Sequence, residues 1–440
     1  MRSDDEIRRI IVKKKRRKAR IRRALAEALL LLILVLVLPS KASKSFDRDL
    51  IQPYGNPDAK APEIKAEGAA IYSLDLDKPV YEKNGDEKID PYSITKILTC
   101  YLAIENLNPE DTVTIKKSNS ELDYEGGAHI NLIEGEKLTV NDLLHGTMLG
   151  SANDAAYALA LEVSGSEKNF AELMNKQVEE WGCKNTHFVN PNGWKNKNHY
   201  TTAHDMVIIT ARCFENEKLR ELSMVGEYVI PPTPENNYER AIVNVFRKGT
   251  SGIDGIECGK TGTWEDDDCS IVLEFTEDHL NAAMVLLRDT LKKRPADVKT
   301  LMKFSHDVTP GFTVANEGDA ACEARVRGGA ETVVPLAMDK TIHVYPKDNR
   351  KKDVKVETDI SNLEAPIEKG SKAGTYTVTV DGEEIETGEL LAAESIEKGW
   401  LPSKLYISNS STIAGAAVMI LSTLLMLILG RSGKNKKSAG

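Results

Sequence analysis

The chain has 440 residues, of which 41% are hydrophobic and 28% charged, so it can fold into two or three domains with real cores and is not a disordered polymer. Its net charge of −9 hides an asymmetry: twelve Lys/Arg crowd residues 1–23, whereas residues 42–430 hold 41 basic against 63 acidic side chains, near −22. So acidic a middle excludes nucleic acid, or an anionic membrane face, as its main partner.

The N-terminus reads "RRIIVKKKRRKARIRRALAEALLLLILVLVLPSKAS". A basic run, an apolar core from Ala24 to Leu38 and a small-residue exit at Ser40-Lys41-Ala42 predict an export signal over 1–42, cleaved or kept as a signal anchor. A linker over 43–61 follows. "GAAIYSLDLDKPVYEKNGDEKI" predicts a hairpin, with Ala70, Tyr72 and Leu74 on one face and the turn beginning at Asp77-Lys78-Pro79. "ITKILTCYLAIENL" has helical spacing, with Ile97, Tyr101 and Ile104 beside Leu98 and Leu102. "TVNDLLHGTMLGSANDAAYALALEVSG" predicts two helices split at Leu149-Gly150-Ser151, the second stopped by Gly165. "CSIVLEF" and "NAAMVLLRD" predict two adjacent strands after Lys260, and "RPADVKTLMKFSHD" a closing helix. Residues 62–306 thus form an α/β (α+β) domain, an antiparallel sheet flanked by helices.

From 307 to 395 short β-rich runs such as "TVVPLAM", "DVKVETDI" and "GTYTVTVDGEEI" alternate with turns, which predicts a small all-β domain. A linker over 396–407 leads to "LYISNSSTIAGAAVMILSTLLMLILGRSGKNKK". No charge appears from Leu405 to Gly430, longer than the roughly 20 residues a bilayer needs, so a transmembrane helix is expected at 408–430. Basic residues from Arg431 on would make 431–440 a cytoplasmic tail. These ends place the middle outside the cytoplasm, tethered to the cell membrane. The six cysteines are scattered singly with no CxxC, so zinc and redox sites are disfavoured and mostly free or partly paired thiols are expected. His199 and His204 lie five apart, off the i, i+4 spacing of a helical metal site, and read as structural.

Three short motifs carry the chemistry. In "DPYSITKILTC", Ser93 and Lys96 stand at i and i+3 on one helical face, with Pro91 suiting the helix start. A serine hydroxyl is a poor nucleophile until a neighbour takes its proton, and a lysine can do so only when burial or another cation destabilises its ammonium. Ser151-Ala152-Asn153 lies at the break between two helices, where a short loop can aim side chains into a cleft, or simply cap the next helix. Lys260-Thr261-Gly262 precedes an apolar strand and alone would be a turn with an exposed lysine. Each motif is commonplace; all three, in this order and at these separations, are far more specific, and together they resemble the motif set of class A β-lactamases and penicillin-binding proteins.

The chain resembles the low-molecular-mass penicillin-binding proteins that act as serine D-alanyl-D-alanine carboxypeptidases. The likeness extends over "LTVNDLLHGTMLGSANDAAYALA", "THFVNPNGW" and "HYTTAHDM". The resemblance implies a penicillin-binding, β-lactamase-like transpeptidase fold followed by the all-β domain. It implies Ser93 as acylated nucleophile, Lys96 as its base and Ser151 as proton relay to the leaving D-alanine. Asn153 would hold the substrate's peptide group, Lys260 and Thr261 its terminal carboxylate, and Gly262 completes the third motif. The N–H groups of Ser93 and Thr263 would form the oxyanion hole. Peptidoglycan stem peptides are the implied substrate, β-lactams the inhibitors, and no cofactor or metal is called for. The sequence departs from the family at "ECG" before Lys260, at "WEDDDCS", which lacks the usual Ala-Gly, and in its apolar C-terminal stretch.

Other readings share the residues. A D,D-endopeptidase cutting cross-links would use the same triple. A β-lactamase would need a carboxylate to drive deacylation, and no Glu-x-x-x-Asn occurs between Asn153 and Lys260. A non-catalytic surface module would have little reason to keep all three motifs. The acidic run Glu265-Asp266-Asp267-Asp268 is a solvated turn, or a set of charges that steers amine-bearing stem peptides inward.

Overall fold

A computed structural model describes residues 4–37, 42–122, 124 and 126–431. Two compact units are present: one comprises residues 1–52, 313–342 and 352–440, the other residues 53–312 and 343–351.

The second unit is built on a five-stranded antiparallel sheet. Its strands are β1 (Gly68–Ser73), β2 (Lys78–Lys83), β3 (Ile256–Glu265), β4 (Asp268–Glu277) and β5 (Leu280–Asp289), in spatial order β2-β1-β5-β4-β3. The apolar runs of β4 and β5 are nearly continuous because both faces of the sheet are covered. Side chains of a strand alternate between faces. Val272, Ala283, Val285 and Leu287 join one buried cluster, and Ile271, Leu273, Met284 and Leu286 join another.

The first cluster is completed by helices α1 (Lys96–Asn106), α2 (Val140–Met148), α3 (Asn153–Ser164) and α4 (Ala203–Phe214). The second is completed by α6 (Arg294–Val308), after the short α5 (Glu217–Met224). Helix ends follow local chemistry. Thr139 and Asp142 form a capping box at the start of α2, and Gly165 closes α3 in the left-handed region at φ 75°. The two strands expected after Lys260 are β4 and β5, but Lys260 itself lies inside a further strand, β3, so three strands run in succession here. β3 is also the sheet's edge, with one row of backbone groups free to pair with an extended peptide.

The other unit contains a six-stranded sheet of β6 (Ala320–Arg327), β7 (Val333–Met338), β8 (Val354–Ile360), β9 (Leu363–Glu364), β10 (Lys372–Val380) and β11 (Glu383–Ala392), in the order β8-β10-β11-β7-β6-β9. All pairings are antiparallel except β6 with β9.

The expected transmembrane helix is corrected. Asn409–Arg431 is helical over 23 residues, yet among the described residues no helix is long and apolar enough to cross a membrane. Ser410, Ser411 and Thr412 open the helix and Gly415, Ser422 and Thr423 interrupt it, so the described stretch holds no apolar run of the roughly 20 residues a bilayer needs. The membrane tether expected through this helix therefore has no support among the described residues. Among the described residues the N-terminal helix Asp4–Val37 does not make a span either. The signal's exit at Ser40-Lys41 and the basic tail over 432–440 lie outside the described residues. All six cysteines are free and buried.

Candidate active site

A single 3₁₀ turn, Tyr92–Thr95, leads directly into α1 and places Ser93 one turn before Lys96. Tyr92 adopts φ 54°, in the left-handed region that a bulky side chain avoids unless its surroundings impose it. Lys96 is fully buried. Its Nζ lies 2.9 Å from Ser93 Oγ, 2.8 Å from Asn153 Oδ1 and 2.8 Å from the backbone carbonyl of Asn192. Burial, and then the charge of Lys260, hold this amine well below the usual lysine range.

These three neighbours fix the direction of the lone pair. A neutral amine has two N–H donors and one lone pair. The Asn192 carbonyl and the Asn153 amide oxygen can only accept, so they take the two N–H groups. The lone pair is left for Ser93, the one neighbour with a proton to give.

Ser151 and Asn153 sit where the sequence breaks between α2 and α3, and Ser151 is also left-handed, at φ 59°. Lys260 is fully buried in β3, and its ammonium donates to Ser151 Oγ at 3.0 Å and to the Thr261 carbonyl at 2.8 Å. Burial lowers its pKa to about 7. β3 can approach the Ser93 turn because residue 262 is glycine. A Cβ there would stand 3.0 Å from the Pro91 carbonyl oxygen and 3.1 Å from Ser93 N. Gly262→Ala is therefore expected to push β3 and the Ser93 turn apart by a few tenths of an ångström. Acylation by penicillin should slow about tenfold or more, given how steeply reactivity depends on placement, with the melting temperature little changed. Stopped-flow acylation set beside a thermal melt checks this.

Ser93, Ser151, Asn153, Thr261 and Thr263 line one cleft of about 630 Å³, with Gly262 and the lysines packed beneath. Several lining residues were not singled out from sequence. Arg294 is buried, and its Nε has no protein partner. Tyr92, Trp194 and Trp264 form one wall. The Asn192 carbonyl belongs to "NPNGW", a stretch quoted above only for its likeness. In that stretch Gly193 passes so close to Tyr92 that a Cβ would meet the Tyr92 carbonyl oxygen at 1.8 Å. His199 is buried and its Nδ1 accepts the Val189 N–H, so Nε2 bears the proton and donates to Thr95 Oγ1 at 3.1 Å. His204 bonds Glu82 at the surface. In the acidic run Asp268 is set apart: it opens β4 and accepts the Tyr92 hydroxyl at 2.6 Å, while Glu265, Asp266 and Asp267 are exposed.

A family model described as D-alanyl-D-alanine carboxypeptidase matches residues 56–290, and one described as penicillin-binding protein 5, C-terminal domain, matches residues 311–398. The chain belongs to this S11 peptidase family and is a serine D-alanyl-D-alanine carboxypeptidase of the low-molecular-mass penicillin-binding class. It is 30% identical over 344 residues to the carboxypeptidase DacF of Bacillus subtilis, covering 76% of this chain and 86% of that one. DacA of Escherichia coli K12 is 27% identical over 354 residues, covering 77% and 85%. Among solved structures, penicillin binding protein 5 from Haemophilus influenzae superposes with a TM-score of 0.51 at 25% identity, over 77% of this chain and 100% of that one. The Streptomyces K15 DD-transpeptidase gives 0.50 at 27% identity, over 56% and 98%.

Proposed function

We propose that the enzyme removes the terminal D-alanine from peptidoglycan stem pentapeptides through an acyl-enzyme on Ser93. The observation that carries this reading is the arrangement of Lys96: its buried Nζ lies 2.9 Å from Ser93 Oγ and 2.8 Å from two groups that only accept, Asn153 Oδ1 and the Asn192 carbonyl, so that its neutral form leaves the lone pair to Ser93.

Lys96 takes the Ser93 proton as Oγ attacks the penultimate D-alanine carbonyl. The Ser93 and Thr263 N–H groups receive the developing oxyanion. The C–N bond breaks, and the proton passes from Lys96 by way of Ser151 to the leaving D-alanine nitrogen. Water then attacks the ester, again giving a proton to Lys96, and Ser93 is regenerated. Asn153 holds the substrate peptide: its Oδ1 faces Lys96, and its Nδ2 faces Gly127 on the cleft side. The terminal carboxylate rests on Thr261 with Arg294. Both donors of Lys260 with protein partners point to Ser151 and the Thr261 backbone, so Lys260 contributes its charge from behind.

Residues 62–306 are read as the carboxypeptidase domain and 307–395 as the small all-β domain. The substrate places the enzyme's work outside the cytoplasm. A penicillin would acylate Ser93 and remain, because the C–N bond that breaks lies in its ring: the leaving nitrogen stays tethered where D-alanine would depart and keeps out the water that Lys96 would activate. Incubation with a penicillin should give one adduct per chain that outlasts many turnovers of D-alanine release from a stem pentapeptide. Rapid loss of the adduct with release of penicilloate would instead favour a β-lactamase.

A further inference from the structure

The six-stranded sheet takes part of its structure from the other end of the chain. β9 pairs with β6 at Val326 and Arg327, and the earlier part of that edge is taken by residues 43–47 of the same compact unit. The Glu323 N–H donates to the Ser43 carbonyl at 2.7 Å, and the Asp47 N–H donates to the Ala321 carbonyl at 2.8 Å, an antiparallel pairing. The same few residues reach β8, at the far end of the sheet. Thr358 Oγ1 donates to the Lys44 carbonyl at 2.6 Å, and the Arg48 guanidinium to the Val354 carbonyl at 3.1 Å. One segment can touch both strands only where the sheet rolls until β6 and β8 stand two strand spacings apart, roughly 10 Å. Residues 43–48 fill that seam. Phe46 is buried while Ser45 and Asp47 stay exposed, and strand edges that would otherwise invite another chain are covered.

The segment begins at a chemically marked bond. Ser40-Lys41-Ala42 is the small-residue exit expected of the export signal, and Ser43 is the first residue past it. Glu323 holds that residue at both backbone groups: besides donating to its carbonyl, it accepts the Ser43 N–H on Oε2 at 3.3 Å. In the uncut chain the Ser43 nitrogen is an amide with one proton. Hydrolysis of the Ala42–Ser43 bond by a signal peptidase puts the hydroxyl of water on the Ala42 carbonyl carbon and its remaining proton on the Ser43 nitrogen. The freed amine, with an ordinary pKa of about 7.7–8.0, takes up a further proton at neutral pH. An ammonium with three donors then faces the Glu323 carboxylate where one amide N–H stood, and a charge-assisted bond replaces a neutral-donor one.

We propose that residues 43–48 are the closing strand of the six-stranded sheet, and that Glu323 is the acceptor for the amino terminus that processing after Ala42 leaves on Ser43. Removal of the signal then adds an ion pair at the outer end of the closing strand and fastens it in the seam. The inference is independent of the Ser93 reading.

The test uses the full chain exported by living cells and purified. Peptide mapping should show that it starts at Ser43. Periodate converts an N-terminal serine, and no internal one, to a glyoxylyl group that has no amine. Amide hydrogen exchange of residues 45–48 is then compared in four forms: the exported chain, its periodate product, Glu323→Gln, and Glu323→Gln after periodate. Either change alone should speed exchange about two- to fivefold, the usual worth of an exposed charge pair. The two together should do no more than either alone, because each removes the same interaction. In 1 M salt the four forms should converge, since exposed charges are then screened within about 3 Å. The periodate product carries no substitution, so it tests the amine even where Glu323→Gln folds poorly. A chain that starts elsewhere or stays uncut, a periodate product that exchanges like the untreated chain, or effects of the two changes that add, overturns the proposal.

Discussion

Ser93→Ala is expected to take no label from a radiolabelled penicillin and to lose on the order of 10⁵–10⁶ in D-alanine release, as serine hydrolases do when the nucleophile is removed. The substitution deletes one oxygen at a half-buried position and leaves the Tyr92–Thr95 turn and the start of α1 intact. The fold should therefore survive, with stability changed by no more than about 1 kcal/mol. Intact-mass spectrometry reads the adduct, and peptide mapping of the unmodified protein should place it on the peptide containing Ser93. Stoichiometric labelling of Ser93→Ala would move the nucleophile elsewhere; Ser151, held 3.0 Å from Lys260 Nζ, would be the place to look.

Lys96→Arg is expected to lose about 10²–10⁴ in acylation rate, the usual worth of a general base, because a guanidinium keeps its proton at every accessible pH. The larger side chain must also fit a fully buried site, so Lys96→Met serves as a companion that removes the base without adding bulk. Either variant retaining more than about a tenth of the rate, some 1.4 kcal/mol of barrier, would point to another base. The pH profile gives a second reading. Lys96 acts in its neutral form, so acylation should rise as pH rises through its pKa and then level off. Burial and the Lys260 charge depress that pKa, so the plateau should be reached well below the pH at which an exposed lysine, near 10.4, loses its proton. A rate that climbs until pH 10 or beyond would mean that Lys96 is not the base.

Much of the site was legible in the sequence because it is written in short, locally spaced patterns. Ser93 and Lys96 are one helical turn apart, Ser151 and Asn153 flank a helix break, and Lys260-Thr261-Gly262 adjoins an apolar strand. Alternation and helical spacing likewise gave the β1–β2 hairpin, β4 and β5, and helices α1 to α3. The transmembrane expectation rests on the same local reading: a charge-free run from Leu405 to Gly430 meets the length a bilayer needs, yet among the described residues no helix is both long and apolar enough to span.

The sequence by itself determined which side chains are available for acyl transfer and on which elements they ride. Only the tertiary structure decided what Lys96 is. Its depressed pKa depends on complete burial and on Lys260, and its lone pair is aimed by a carbonyl 96 residues away. Tertiary packing also drew Asp268 out of the acidic run to hold Tyr92, placed Lys260 inside the edge strand, and assembled Tyr92, Trp194 and Trp264 into one wall. The physical reason is one of range. Backbone periodicity is set by neighbours within a turn or two, whereas desolvation, charge coupling and ring stacking depend on groups that only the folded chain brings within a few ångströms.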